Sequence, residues 1–235
     1  QAGIDVGHQY SEEEAALYKD FFKAKSEQIP EITMKVSVSL DGKQATDLGQ
    51  SKWITNSEVK QDVYHLRHTH DAVLTGNGTI NADNPLYTTR IPSGKNPIRI
   101  VLAKSGNVDF TKQLFQDSSS EVWIYTENQT LESPNRNIKV ICIDKCDLKD
   151  ILKDIYKRGI GSLLIEAGPR ITSKFLQTDF INQLIIYYAP KIIGGSGKNQ
   201  FYQTTDIIDL NETTQFEISS TELINQNLKM ILRKK

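Results

Sequence analysis

Cysteine is nearly missing from this 235-residue chain, which has only Cys142 and Cys146. They stand too close together to frame a fold, so a disulfide-stapled scaffold is excluded. An excess of charge is missing too. The 28 Lys and Arg face 29 Asp and Glu, for a formal net charge of −1. That balance gives no global pull toward nucleic acid or an anionic membrane, and neither is expected as a partner. Local anion sites stay open. Long apolar runs are missing as well. The best, Leu184-Ile185-Ile186-Tyr187-Tyr188-Ala189-Pro190, has the length of a strand, well short of the roughly 20 residues a membrane-spanning helix needs. With no secretory pattern at the amino end, the chain reads as cytoplasmic. His65, His68 and His70 crowd one segment. No Cys or carboxylate motif with zinc spacing accompanies them, so no metal is expected. Repeats and low-complexity segments are also lacking.

What is present is enough apolar content, 38% of residues, to bury one sizeable core. Ser11-Glu12-Glu13-Glu14 reads as a helix start with a capping box, and the helix is expected to run to about Ser26. Pro30 ends the connection. Ile32, Met34, Val36, Val38 and Leu40 then alternate with Thr33, Lys35, Ser37 and Ser39, the period of a strand. Its polar row is either solvated surface or the wall of a site. Beyond the Asp41-Gly42 turn, helices and strands alternate. Helices are expected over Asn56–His68, around Leu148–Ile155 and around Ile171–Leu176. Strands are expected over Asp71–Thr75, Ile98–Ala103, Val122–Thr126, Lys139–Ile143, Leu163–Ile165 and the Leu184 run. Two final strands lie near Gln215–Thr221 and Asn227–Leu232. This order predicts an α/β fold: a mostly parallel central sheet flanked by helices, with antiparallel strands at the carboxyl end.

Three glycine-bearing loops have the composition of anion sites. Thr75-Gly76-Asn77-Gly78-Thr79 follows a strand, where glycines admit a ligand close to backbone N–H groups and a helical turn aims its positive end there. It is not a dinucleotide fingerprint, because Asn81 stands where the third glycine belongs; a plain tight turn explains it equally well. Glu166-Ala167-Gly168-Pro169 joins a strand to a helix, with Pro169 suited to the first helical turn. Glu166 falls where open α/β sheets place their ligand crevices. It acts there as a functional carboxylate or as a helix N-terminal acid balancing the dipole. Gly194-Gly195-Ser196-Gly197 lacks Walker-loop spacing and is either an anion loop or merely flexible.

The ordered succession of these segments resembles a known family. Lys35 with Ser39-Leu40-Asp41-Gly42-Lys43, Ser51-Lys52-Trp53-Ile54-Thr55, Asp62-Val63 with Leu66-Arg67, and Gly78-Thr79 come first. Ala82-Asp83-Asn84-Pro85 ending in Arg90, Pro97–Val101, Glu166–Pro169 and Ala189-Pro190-Lys191 with Gly194-Gly195 follow. Together they resemble the reductase domain of the bacterial riboflavin-biosynthesis deaminase–reductases, across roughly residues 31–232. The resemblance implies a dihydrofolate-reductase-like fold. Residues 30–235 are expected to form the reductase domain. Residues 1–29 are expected to be the tail of a deaminase domain and its linker helix. The His-x-Glu and Pro-Cys-x-x-Cys deaminase motifs are not in this sequence.

The resemblance also implies a reaction, the NADPH-dependent reduction of 5-amino-6-(5-phosphoribosylamino)uracil to its ribitylamino product. The nicotinamide does the difficult chemistry and the protein aligns donor and acceptor. Carried over by position, the substrate site comprises Ser51, Arg67, Tyr87, Arg90 and Glu166. Tyr87 stands where relatives commonly have Leu, so its contact is expected through the backbone. The cofactor site comprises Ser37, Trp53, Thr79, Asp83 and the turn Gly168, Pro169, Arg170, Ile171, Thr172, Ser173 and Lys174. Lys104 is a candidate near the cofactor's 2′-phosphate. Lys35, Asp83 and Glu166 form the expected catalytic set, and Arg67 and Arg90 are expected to hold the substrate phosphate together. Partners are a phosphoribosylaminopyrimidine substrate, a deaminase domain in the full-length protein and further copies in a homo-oligomer. Trp53, Arg67 and Asp83 also have plain readings as core packing, surface charge and turn initiator. A dihydrofolate or related pyrimidine reductase, and a non-catalytic module binding NADPH or a phosphosugar, stay open as alternatives.

Overall fold

The computed structural model describes residues 25–52, 54–203, 209, 211 and 213–234. The helix expected from Ser11 and the indole of Trp53 therefore lie outside the described residues, apart from helical residues 25–27. The elements in chain order are β1 (Glu31–Ser39), α1 (Ser57–Thr69), β2 (Ala72–Gly76), α2 (Asn77–Asp83), β3 (Ile98–Leu102), α3 (Gln113–Gln116) and β4 (Val122–Thr126). They continue with β5 (Ile138–Cys142), α4 (Leu148–Lys157), β6 (Ser162–Ile165), α5 (Pro169–Leu176), β7 (Gln183–Ala189), β8 (Phe216–Ile224) and β9 (Asn227–Lys234).

Local chemistry fixes the helix starts. The Asn56 side chain accepts from the Val59 N–H at 3.0 Å and caps α1. Asp147 caps α4 through the N–H groups of Lys149 and Asp150. Gly168 precedes Pro169 at the start of α5, where a missing N–H costs no helical bond. The strands form one nine-stranded sheet among the described residues, in the order β5-β4-β3-β2-β6-β1-β7-β9-β8. Neighbours from β5 through β7 are parallel, while β9 runs antiparallel to β7 and β8 to β9. The expected mixture of parallel and antiparallel pairing is thus what the chain adopts.

Each strand pleats its side chains to two faces. Met34, Leu74, Ile100 and Ile165 pack with α4 and α5 on one side. Val73, Val101, Ile124 and Leu164 pack on the other against Leu114 and Phe115 of α3, and Val59 and Val63 of α1 cover Ile185 and Tyr187 of β7. Coverage of both faces explains a departure from the expected alternation. Thr33 and Ser39, on the polar row of β1, are as buried as its apolar residues, because β1 lies mid-sheet between β6 and β7. Leu40, expected inside, lies past the strand end and is 59% exposed.

Two short helices were not legible. The α2 sequence NGTINAD is poor in helix formers. It is held by tertiary contact through buried Ile80 and closed by Asn84, whose left-handed backbone (φ 46°) donates its N–H to Ile80 O at 3.0 Å. The second, α3, is a single turn anchored by buried Leu114 and Phe115.

The path of the chain positions the site. From β1 it moves through β2, β3 and β4 to β5 at one edge, then returns as β6, which inserts between β2 and β1. The strand order reverses there, and the carboxyl ends of β1, β2 and β6 converge, which is where open α/β sheets leave a crevice for a ligand.

Candidate active site

A cavity of about 1250 Å³ opens at that convergence. Lys35 and Ser37 of β1, Gly76 of β2 and Glu166 after β6 line it. The middle of the polar row of β1, Lys35 and Ser37, is therefore part of a site wall, while Thr33 and Ser39 are buried outside it. The cavity's charge is unlike that of the chain. Lys35, Lys52, Lys60, Arg67, Arg90, Lys104, Arg170 and Lys174 line it, against only Asp83 and Glu166 among the described residues. A chain of net charge −1 has gathered cations around one concave surface, which focuses a positive field and favours an anionic ligand.

At its floor three charged side chains meet. Arg67 donates from Nε to Glu166 Oε1 at 2.6 Å and from Nη2 to Oε2 at 3.0 Å, a two-pronged pair. Its Nη1 donates to Thr88 O at 3.2 Å. The Lys35 ammonium lies 3.9 Å from Glu166 Oε2. Burial alone pushes the Glu166 carboxyl up, but the charge and hydrogen bonds of Arg67, then Lys35, outweigh it and hold its pKa below the ordinary value. Burial lowers the pKa of Lys35; Glu166 opposes that shift and Arg67 adds to it. One carboxylate thus balances two cations, leaving one net positive charge facing the cavity. The Lys35 ammonium also stands 5.9 Å from the ring centre of Tyr187, whose hydroxyl donates to Asp62 at 2.6 Å.

Arg67 and Arg90 do share this cavity, but the fork of Arg67 is engaged by Glu166. A two-pronged grip on phosphate would require breaking that pair. Tyr87 is a core residue, 5% exposed, with its hydroxyl 2.9 Å from Thr75 Oγ1 and donating to Glu166 O at 3.1 Å. Burial pushes its pKa up. The segment carrying it is unusual: Asn84, Tyr87, Arg90 and Ser93 all have positive φ, between 46° and 59°. Such a conformation costs energy for a non-glycine residue and persists where the surroundings impose it, commonly at functional sites. Here Tyr87 anchors the strap while Leu86 and Arg90 line the cavity.

The two glycine loops on the other side meet. Thr79 Oγ1 of α2 accepts the Gly168 N–H at 3.1 Å, joining the starts of α2 and α5. That contact changes what the α5 turn can offer. The Gly168 N–H is engaged, Pro169 has none, and the N–H groups of Ile171 and Thr172 both reach Gly168 O at 3.1 Å. Thr172 does not line the cavity; it is buried and donates to Ala167 O at 3.2 Å. Gly168, Pro169, Arg170, Ile171, Ser173 and Lys174 all line it. Ser173 Oγ accepts the Gln203 N–H at 2.7 Å.

Gly76 is required by packing. A Cβ there would stand 2.6 Å from Cδ1 of Ile171. Gly76→Ala is expected to destabilise the fold by roughly 1 kcal/mol and to weaken ligand binding at the α2–α5 junction. Ile171→Val removes the clashing methyl, so the double variant should recover. Thermal melts of the four proteins of this cycle check it; a double variant no more stable than Gly76→Ala would refute the contact.

Ser51 donates to Asp83 at 2.5 Å, so an expected substrate residue and an expected cofactor residue are one hydrogen-bonded unit. Ser37 Oγ is buried without a hydrogen-bond partner. Lys104 reaches Glu127 at 3.5 Å and lines both the main cavity and a side pocket with Asn77 and Ser105. The third glycine loop binds anions already, but they are the chain's own. Asp41 accepts the N–H groups of Ile193 at 3.0 Å and Gly194 at 2.7 Å, and Asp47 accepts that of Ser196 at 2.8 Å. These bonds close the loop rather than open a site. Sequence reasoning also missed Lys60 and Tyr64, which line the cavity from α1. Their signal was the spacing Lys60, Tyr64, Arg67, which puts all three on one face of a helix.

Fold and site together define a dihydrofolate-reductase-like α/β domain with a cation-rich cleft at its switch point. The chain belongs to the RibD C-terminal domain family, which it matches over residues 30–229. It is 33% identical over 245 residues to the riboflavin biosynthesis protein RibD of Buchnera aphidicola, covering 95% of this chain and 65% of that protein. It is 36% identical over 198 residues to the RibD of Aquifex aeolicus, covering 82% of this chain and 56% of that one. Among solved structures it is similar to a diaminohydroxyphosphoribosylaminopyrimidine deaminase/5-amino-6-(5-phosphoribosylamino)uracil reductase from Thermotoga maritima. That match has a TM-score of 0.83 at 30% identity, over 95% of this chain and 62% of the other. The chain thus spans roughly three-fifths of the length of these relatives. No helix among the described residues is long and apolar enough to cross a membrane.

Proposed function

We propose that residues 30–235 carry the reductase activity for which the Thermotoga relative is named: reduction of 5-amino-6-(5-phosphoribosylamino)uracil, here to the ribitylamino compound with NADPH as donor. The single observation that carries this reading is the cation-lined cavity at the sheet's switch point with Lys35, Glu166 and Arg67 at its floor. Both proposed ligands are polyanions, and the volume suits two of them side by side, since a single ligand site commonly takes about 300–1,000 Å³. NADPH fits the side where the α2 and α5 starts, Ser37, Asp83 and Lys104 stand. When bound it supplies hydride chemistry that side chains cannot.

The chain's own residues then do three things. Glu166, fixed by Arg67, fixes Lys35 in turn. Lys35 presents an ammonium with weakened hold on its proton, suited to stabilising or protonating an oxygen of the sugar. Ser51 and Asp83 join the substrate and cofactor halves, so that donor and acceptor are aligned. The deaminase partner domain, the homo-oligomer and the cytoplasmic location belong to this proposal, with residues 1–29 as the connection to the deaminase.

Loss of reduced-nicotinamide absorbance on adding the deaminated phosphoribosylaminouracil tests it. Turnover with that substrate and none with dihydrofolate is expected; binding without turnover would support a sensing module instead. NADPH should exceed NADH in kcat/KM, on the strength of Lys104 and the cation excess. Equal kcat/KM for both would remove the 2′-phosphate from the reading.

A further inference from the structure

None of the described residues of β8 or β9 lines the cavity, yet this carboxyl-terminal hairpin is tied to a helix that does. Asn56, which caps α1 through its side-chain oxygen, donates from Nδ2 to Ile224 O at 3.3 Å and to Asn225 O at 2.6 Å in the hairpin. Asn225 Nδ2 in turn donates to Glu58 Oε1 at 2.6 Å. One helical turn further along, the Lys229 ammonium of β9 lies 2.7 Å from Asp62 Oδ2 and 4.0 Å from Glu222 Oε2 of β8. The same Asp62 oxygen accepts the Tyr187 hydroxyl at 2.6 Å. Tyr187 is fully buried and packs with Val59 and Val63 of α1. Burial, then the hydrogen bond to Asp62 and its charge, raise the tyrosine's pKa, so it stays the donor in that bond.

Register sets Ser37 of β1, Tyr187 of β7, Lys229 of β9 and Glu222 of β8 in one row across the sheet. Lys35, two residues before Ser37, shares that face. The ammonium groups of Lys35 and Lys229, from the two strands beside β7, each stand 5.9 Å from the centre of the Tyr187 ring, within reach of the ring's attraction for a cation. Glu166 Oε2 is 3.9 Å from the Lys35 ammonium, longer than a hydrogen bond, so that pair attracts the charge without fixing its direction. The tyrosine ring supplies a second surface for it. We propose that Tyr187 is a positioning residue for Lys35, that Asp62 and Lys229 hold it in place, and that the β8–β9 hairpin thereby sets the reactivity of a cavity it does not line. The inference takes from the proposed reaction only the part played by Lys35; the contacts themselves do not require turnover.

The test is a double-variant cycle on the full chain, with a lysine titration beside it. Tyr187→Leu removes the ring and Lys229→Met removes the clamp on Asp62; each is made in the parent and in Lys35→Met. Circular dichroism checks that each variant folds, and Lys229→Arg keeps the charge as the conservative variant. Tyr187→Leu should lower kcat roughly fivefold or more and Lys229→Met roughly threefold, with NADPH affinity at the parent value. Lys229→Arg should restore most of the loss. In Lys35→Met neither change should lower kcat further. NMR of isotope-labelled lysine, with Lys35 identified by its loss in Lys35→Met, reads the contact without turnover. The Lys35 ammonium faces Glu166 after β6, Arg67 of α1 and the Tyr187 ring of β7. Taking the ring away removes an attraction for the charged form, so the titration midpoint should fall by roughly half a pH unit in Tyr187→Leu. Parent-like kcat in Tyr187→Leu, an equal loss with and without Lys35, or an unmoved or raised midpoint would each overturn the proposal. A midpoint that falls in a chain that reduces nothing would leave the positioning contact standing and overturn the proposed reaction instead.

Discussion

Glu166→Gln should lower kcat on the order of 100-fold and cost roughly 2 kcal/mol of stability. Gln keeps the shape and one acceptor for Arg67. It removes the charge that two buried cations share, leaving Lys35 and Arg67 to repel each other. The pH dependence separates this from a plain packing defect. In the fold the Glu166 carboxyl titrates below its ordinary 4.5. Its ionised form therefore stabilises the folded state fully above that pH, and the contribution fades as pH falls from there toward the folded pKa. The stability gap between parent and Glu166→Gln should accordingly narrow on acidification. Denaturant melts across pH 3–7 measure it, roughly the window in which the unfolded carboxyl titrates. A gap constant over that range, with parent-like kcat, would make Glu166 a spacer.

Lys35→Met should also reduce turnover by about 100-fold or more, through loss of electrostatic or acid help at the sugar. Met matches the length, and Lys35 is only 16% exposed, so the fold should survive. NADPH affinity should change little, because Lys35 points to Glu166 at the floor while the proposed cofactor side lies toward α2 and α5. Since burial holds the lysine's pKa below 10.5, activity that depends on its protonated form should fall at a lower alkaline pH than an ordinary lysine would give. That limb should be missing from the residual activity of Lys35→Met. An unchanged kcat with weakened NADPH binding would move Lys35 from the substrate to the cofactor.

The fold was legible wherever periodicity was clear. The β1 alternation, the spacing of Val59, Val63 and Leu66, and the short apolar runs of β2 to β6 each gave an element within a residue or two of its observed bounds. The α2 and α3 helices were hidden because tertiary burial of Ile80, Leu114 and Phe115 sustains them against poor propensity or short length. Most of the cavity-lining charges were legible as a list of residues, but not as a set of pairings. Arg67 reads as a phosphate ligand from its type and its place in the resemblance. Only β6 inserting beside β1 brings Glu166, 99 positions away, against it. In the same way nothing near Gly194 announces that Asp41 and Asp47, over 140 positions earlier, fill that loop. Residue type reveals a capacity for charge, whereas long-range topology decides which partner uses it.

The central claim is that this cavity holds the sugar of the aminouracil against a reduced nicotinamide. The most direct measurement is mass spectrometry of the product formed from 5-amino-6-(5-phosphoribosylamino)uracil in the presence of NADPH carrying deuterium at both hydrogen positions of nicotinamide C4. One deuterium should appear, at C1′ of the ribityl chain, in the parent enzyme. NADPH consumption with no deuterium in the product, or no reduced product at all from the folded chain, would contradict the account.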